Sequence, residues 1–382
     1  MRDTVITGAR IILPDSISEP KEVLISGGTV AAIGTGFEAT AADVLDARGA
    51  YLCPGLVDIH IHGAAGVLCD RAGPDDLTAM SITLAHLGTT SFLPTITSSS
   101  EEMTLAALSS IKEAADRVTG ARILGAHMEG PYLNPSRAGA QRPDALKSYS
   151  RGQLDQYLAA AGGLLKIMGL APEVPGGMDL IDDLVGAGIV PGAVHTDATY
   201  EEALRAIGRG LRLACHTFNA MRPIHHREPG IAVAALLAPD VFCEFIADGF
   251  HLAAPMIELA YRVKGPGRMI LVSDAVAPGV PEGDYNLFGT TVRIEAGRVF
   301  LPDTGVLAGS ASPLMAGIRN LHTRTTIPLA HIVRAASLNP ATLIDRDQEV
   351  GSIAVGRQAD LLLLDEKLDI LRVWVGGREI AS

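Results

Sequence analysis

The chain has 382 residues, 48% of them hydrophobic and 19% charged, with a formal net charge of −12. This suits one large domain with a smaller one, and the acidic balance argues against nucleic acid or an anionic membrane surface as partner. Four cysteines (Cys53, Cys69, Cys215, Cys243) without a CxxC pair imply no disulfide framework, and only 4% of residues are aromatic, too few for stacking platforms to dominate.

The leading Met1-Arg2-Asp3-Thr4 carries no signal-peptide core, and no apolar run approaches the ~20 residues that cross a bilayer. A soluble cytoplasmic protein is expected. Residues 1–52 read as short strands: Val5–Ile12, then Glu22–Ile33 as a hairpin turning at Gly27-Gly28. Residues 350–382 have the same texture in Asp360–Asp365 and Leu371–Gly377. Neither end is long enough for a good core, so the two are expected to pair into one small β-domain, a sandwich, around a larger domain over 53–349.

The middle alternates strand and helix. Pro54-Gly55 and Gly63-Ala64-Ala65-Gly66 bracket the apolar run Leu56-Val57-Asp58-Ile59-His60-Ile61-His62. A helix near Pro74–Leu87 follows, then a strand at Ser91–Ile96 and a helix from about Ser100 to Val118, with serines suited to capping. Further apolar strands are Ile123–Gly130, Leu165–Glu173, Val190–Ala198, Leu211–Asn219, Val241–Asp248 and Met269–Asp274. Eight strands with helical patterns between most of them predict a (β/α)8 TIM-like barrel. A doubly wound sheet is disfavoured because no GxGxxG turn follows a first strand. Tyr285–Leu307 breaks the rhythm and contains a predicted hairpin, Thr290–Ile294 with Arg298–Phe300; the last barrel helix is expected at Pro313–Leu321.

Active sites of such barrels lie at the C-terminal ends of the strands. His60 and His62, two apart on a strand, share a face and can chelate a metal ion if other ligands appear downstream. Strand three ends in Glu129, strand five in His195, strand six in His216 and strand eight in Asp274, while strand seven leads into Asp248-Gly249-Phe250-His251. Ordinary roles compete at other positions. His127 shares a face with Glu129 but sits deeper and reads as support. His86, His322 and His331 fall in helical patterns, and His225 and His226 in a loop. Asp197 and Asp248 suit caps or turns. Lys166 is the one lysine on a predicted strand that could carry a carbamate bridge; Glu129 is the better bridging or sole anionic ligand.

With these residues in place the chain resembles the amidohydrolase superfamily and, within it, the family of N-acetylglucosamine-6-phosphate deacetylases. The resemblance rests on Pro54–Gly63, His127–Pro135, Ala171-Pro172-Glu173, His195–Ala198, His216–Met221, His226–Gly230, Asp248–His251, Leu271–Ala275 and Leu307–Ser310, and covers nearly the whole chain. It implies that Glu129, His195 and His216 hold a main divalent metal, and that His60 and His62, with Glu129 bridging, hold a second. One or two ions per subunit are thus expected, with zinc first and iron, cobalt or manganese as alternatives. Asp274 would be the general base and acid. Asn219, the backbone of Ala220, and Arg227 would bind phosphate, with Arg227 reaching the neighbouring subunit's site in a homodimer. His251 would bind the sugar, Leu307 would line the acetyl pocket, and Ala140 and Gln141 would lie against the substrate.

Gln141 departs from relatives that carry His at this position, where it helps polarise the acetyl carbonyl. Gln donates a hydrogen bond but holds no charge, so a second ion at His60 and His62 is expected to supply part of that polarisation. The implied substrate is a phosphorylated N-acetylhexosamine, N-acetylglucosamine 6-phosphate first. N-acetylgalactosamine 6-phosphate or another amide is the alternative. A binding protein built on an inactive barrel ranks last, because the expected ligands and Asp274 are all present.

Overall fold

The computed structural model describes residues 3–37, 43–287 and 290–381. Met1 and Arg2, and residues 288–289 of the predicted Tyr285–Leu307 excursion, lie outside them. Eight parallel strands form the barrel: β1 (Leu56–Ile61), β2 (Thr89–Ile96), β3 (Ala126–Glu129), β4 (Leu165–Leu170), β5 (Val190–Ala193), β6 (Leu213–Ala214), β7 (Phe242–Ile246) and β8 (Met269–Val272). Each pairs in parallel with the next from β1 to β8. Just beyond β8 the seam closes on β1. Asp274 N–H donates to the His60 carbonyl at 2.9 Å, and His62 N–H donates to the Ala275 carbonyl at 2.8 Å.

Strand periodicity sorts the side chains into two apolar sets. Val57, Ile59, Ile167, Leu213, Phe242, Ile246, Ile270 and Val272 form one core inside the barrel. Phe92, Met168, Phe245 and Leu271 join the second core, shared with the surrounding helices. Leu343 and Ile344, at the end of the short helix Leu338–Leu343, join the inner core and cover the floor of the barrel. A buried Leu, Ile or Phe contributes about 1.5–3 kcal/mol over its exposed state, so these two sets supply the larger part of the drive to fold.

The predicted strands are generally longer than those observed. Val190–Ala198 is extended only to Ala193, and Leu211–Asn219 only over Leu213 and Ala214. The reason is local: His195 and His216 adopt φ of +44° and +26°, which takes the chain out of extended geometry. The helix after β2 spans Glu101–Ala114, capped by the Ser100 hydroxyl, which accepts from Met103 N–H at 3.3 Å. It stops before Val118 because the chain turns there to place Ala121 N–H on the Ser81 carbonyl, 2.9 Å away. The predicted hairpin is the centre of a four-stranded antiparallel sheet, Gly283–Leu287, Thr290–Glu295, Arg298–Phe300 and Leu307–Ser310. Its first strand, Gly-Asp-Tyr-Asn-Leu, is too polar to read as a strand. Val292, Ile294 and Val299 pack this sheet on Val276 and Ala308 beside the barrel mouth.

The two chain ends form a separate β-sheet. Leu361–Leu364 pairs antiparallel with Tyr51–Pro54, which runs parallel to Thr4–Ile12. Trp374 is buried there with Ile6, Ile11 and Leu52. Asp360 ties this sheet to the barrel. It is 4% exposed, accepts from the Arg122 guanidinium just before β3, and accepts from Gly376 N–H at 2.6 Å. Burial pushes its carboxyl up, and the Arg122 charge partly offsets this. Arg122→Ala leaves a buried carboxylate without its cation and is expected to cost about 3 kcal/mol. Urea unfolding of the variant and parent checks this; a loss below about 0.5 kcal/mol, the size of an ordinary surface change, refutes the role.

Candidate active site

The C-terminal ends of the barrel strands open into a cavity of about 620 Å³, within the range of small-molecule sites. At its base Glu129, from the end of β3, is the hub. Its Oε1 lies 2.9 Å from His216 Nε2, 3.1 Å from His195 Nε2 and 3.7 Å from His60 Nε2. Its Oε2 accepts from the Gln141 amide at 2.6 Å and faces His62 Nε2 at 3.5 Å. Across the cavity, Asp274 Oδ1 stands 3.1 Å from His62 Nε2 and 3.7 Å from His60 Nε2.

The other ring nitrogens fix the tautomers. His195 Nδ1 donates to the Arg137 carbonyl at 2.8 Å, and His216 Nδ1 donates to the Asn219 carbonyl at 3.2 Å. A carbonyl only accepts, so in each neutral ring Nε2 carries the lone pair. Two lone pairs then point at a carboxylate oxygen, which is repulsive unless positive charge lies between them, as protons or as a cation. His60 Nε2 is buried and has no hydrogen-bond partner among the described residues. The groups His60/Glu129/His216 and His60/His62/Asp274 each present ligand atoms within 4.8 Å of one another. Imidazole and carboxylate donors in this number fit first-row divalent ions.

The electrostatics carry the same signature. Burial alone would lower the His216 pKa, but the hydrogen bond to Glu129 and its charge push it up to about 9. His62 is likewise raised to about 9 against burial, by its hydrogen bond to Asp274 and the charge of Glu129. For Asp274, burial works upward, yet the His62 hydrogen bond and the His60 charge hold it at about 2. Glu129 lies well below the usual carboxylate range, as His195 and His216 override its burial.

His60, His62, Glu129, His195, His216 and Asp274 are therefore brought together from five strand ends. Ala140, Gln141, Asn219, Ala220, His251 and Leu307 line the same cavity. Gln141 is oriented by Ser98, whose backbone N–H donates to its amide oxygen at 2.9 Å and so turns the NH2 toward Glu129. Arg227 is not brought in; it is exposed on the loop before Gly230, with Nη1 beside His226 Nε2 at 2.7 Å. His127 lies beneath the site, Nδ1 on the Ile59 carbonyl at 2.9 Å. Asp197 holds Arg137 and Arg222, and Asp248 accepts from His251 Nδ1 at 2.8 Å.

Several site residues sit in left-handed backbone: His195, His216, Ala220 (φ +50°) and Asp274 (φ +47°). Such strain persists only where the surroundings over-determine it. Part of that determination is Gly309 (φ +80°), where a Cβ would meet the Asp274 carbonyl at 2.9 Å.

Three acidic residues were not singled out by sequence reasoning. Glu244, midway along β7, is fully buried and lies 2.9 Å from His60 Nδ1. Asp70, buried at the cavity wall, accepts from Thr97 N–H and Oγ1, both at 2.8 Å. Glu173, quoted only within a motif, accepts from Thr196 Oγ1 and Asp197 N–H, each at 2.6 Å, and so anchors the turn after His195. A readable signal existed for Glu244, the one charge within the apolar run Val241–Ala247.

A barrel with this set of ligands at its mouth defines a class of metal-assisted hydrolase. Residues 51–380 match the amidohydrolase family, and the chain belongs to that family. It is 35% identical to the N-acetylglucosamine-6-phosphate deacetylase of Vibrio furnissii, over 92% of this chain and 88% of that one. It is 32% identical to the N-acetylgalactosamine-6-phosphate deacetylase of Escherichia coli O157:H7, over 98% and 97%. The crystal structure of N-acetylglucosamine-6-phosphate deacetylase from Pasteurella multocida superposes with a TM-score of 0.94 at 28% identity, covering all of both chains.

Proposed function

We propose that this chain is a divalent-metal-dependent deacetylase of N-acetyl-D-glucosamine 6-phosphate, releasing D-glucosamine 6-phosphate and acetate in the cytoplasmic breakdown of amino sugars. The observation that carries the reading is Glu129 facing the Nε2 atoms of His195 and His216 opposite Asp274, in a chain whose full-length relatives bear that activity in their names. The galactosamine epimer is the second reading, favoured by the likeness to the Escherichia coli enzyme.

Glu129, His195 and His216 would hold the main ion, with His60 and His62 for a second; zinc suits these donors best, with iron, cobalt or manganese as alternatives. The chemistry such an ion supplies is Lewis acidity, which makes water acidic enough to ionise near neutral pH and polarises a carbonyl. Asp274, ionised at neutral pH, takes the proton from the attacking water at Oδ1. It then gives that proton to the amine nitrogen, so that a neutral amine leaves rather than an anion. Gln141 holds Glu129 with one N–H and has a second to offer the acetyl oxygen. Leu307 walls the acetyl group, and Ala140 and His251 lie along the sugar. The phosphate is taken by Asn219, the Ala220 backbone and Arg227 of a second copy in a homodimer. The exposed position of Arg227, outside its own chain's cavity, supports that arrangement. It also lets an acidic protein hold an anionic substrate through a local, charge-assisted contact.

Acetate release from the two epimeric N-acetylhexosamine 6-phosphates, on protein of known metal content, tests the reading. Faster release from the gluco epimer is expected, faster release from the galacto epimer selects the second reading, and release from neither refutes both. Asp274→Asn is expected to fold and bind metal while turnover falls at least about a hundredfold; substantial residual turnover removes Asp274 from proton transfer. Arg227→Ala should raise KM for the phosphorylated sugar about tenfold or more and leave the unphosphorylated analogue unaffected. Equal effects on both sugars refute phosphate binding.

A further inference from the structure

Glu244 is a charged residue inside a barrel core. On β7, Phe242 and Ile246 belong to the inner apolar set while Cys243 and Phe245 belong to the outer one. Period-2 alternation therefore turns Glu244 inward, beneath the ligands. It is fully buried, and no Lys or Arg pairs with it among the described residues. Burying a carboxylate without a fixed cation costs several kcal/mol unless its oxygens are well used. One oxygen is: Oε2 lies 2.9 Å from His60 Nδ1 and accepts the backbone N–H of His216 at 3.1 Å. The Glu244 carbonyl accepts from Thr217 N–H at 2.8 Å, so both its side chain and its main chain grip the end of β6.

These contacts fall on both halves of the ligand set. An amide N–H already points at Oε2, so that oxygen acts as an acceptor and His60 Nδ1 as the donor. The lone pair of His60 is then left on Nε2, the buried atom with no hydrogen-bond partner that faces Glu129 and Asp274. The His216 amide lies in left-handed backbone (φ +26°), where the chain needs an external hold.

Resting on the metal reading above, we infer that Glu244 is a positioning residue for metal. It sets the Nδ1–H tautomer of His60 and pins the backbone of His216, so one buried carboxylate aligns both halves of the site. It touches neither substrate nor reacting atoms.

The test is zinc affinity, measured against a chromophoric chelator, for wild type, Glu244→Met, Glu244→Gln, His60→Ala and the double variant Glu244→Met with His60→Ala. Thermal unfolding of the metal-free proteins serves as the control for fold. Glu244→Met removes both acceptor oxygens and roughly keeps the volume, whereas Glu244→Gln keeps an amide oxygen that can accept from His60 and His216 and should retain most of the affinity. Glu244→Met is expected to weaken zinc binding about 10- to 100-fold, as loss of a partner behind a ligand does, while the metal-free protein still unfolds cooperatively. In the His60→Ala background its further effect should shrink, to what the His216 contact alone contributes. Where wild type takes up a single ion, the affinity for that ion is the readout, since Glu244 touches His216 as well. Wild-type affinity in Glu244→Met overturns the inference alone. A full, undiminished effect in the His60→Ala background overturns the tautomer role. Wild-type protein that takes up no zinc, iron, cobalt or manganese overturns the metal reading itself, and the inference with it.

Discussion

Everything at the mouth of this barrel depends on an excess of buried negative charge. Glu129 and Asp274 are both buried at the base of the cavity, and their nearest neighbours are ring nitrogens; in His60, His195 and His216 the ring's other nitrogen is already engaged on the far side. A carboxylate in low dielectric is unfavourable unless matched by positive charge. The protein therefore has two consistent states here, one with protons on the histidines and one with cations among them. The raised pKa values of His62 and His216 express the first. The field that holds a proton on an imidazole is also one that attracts a metal ion.

Holding such groups in register strains the backbone. His195, His216, Ala220 and Asp274 all leave the extended region just as their strands end. The strands supply direction and the turns supply aim, with the apolar layers beneath keeping both rigid. Glu173 and the Arg137–Asp197–Arg222 cluster brace the turn after His195, and Glu244 braces the one at His216. The antiparallel sheet beyond β8 braces Asp274, through Ser310 N–H on its carbonyl at 2.9 Å.

Much of this was legible in the sequence because periodicity and position report the same thing. Eight apolar runs gave the barrel, and polar residues closing those runs gave Glu129, His195, His216 and Asp274. The pairing of the two chain ends was legible because neither could bury a face alone. The missing parts were invisible for physical reasons. Strand lengths were overestimated because left-handed turns carry no special residue type here: histidine and aspartate sit where glycine would be looked for. The strand Gly283–Leu287 hides because its burial is slight. Asp70 and Glu173 act through hydrogen bonds to residues far off in sequence, which no local pattern encodes. Glu244 could have been found, since an unexplained charge in a buried strand needs a partner, but nothing local names His60 as that partner.

The closing seam has a consequence for how the molecule comes into being. His60 lies in the first barrel strand and His62 just after it, and two backbone hydrogen bonds join them to Asp274 and Ala275 in the turn after the last. A chain emerging from the ribosome thus carries two histidines early and cannot complete their surroundings until nearly three quarters of it has been made. Until then these histidines lack Asp274, the carboxylate that their Nε2 atoms face in the folded barrel.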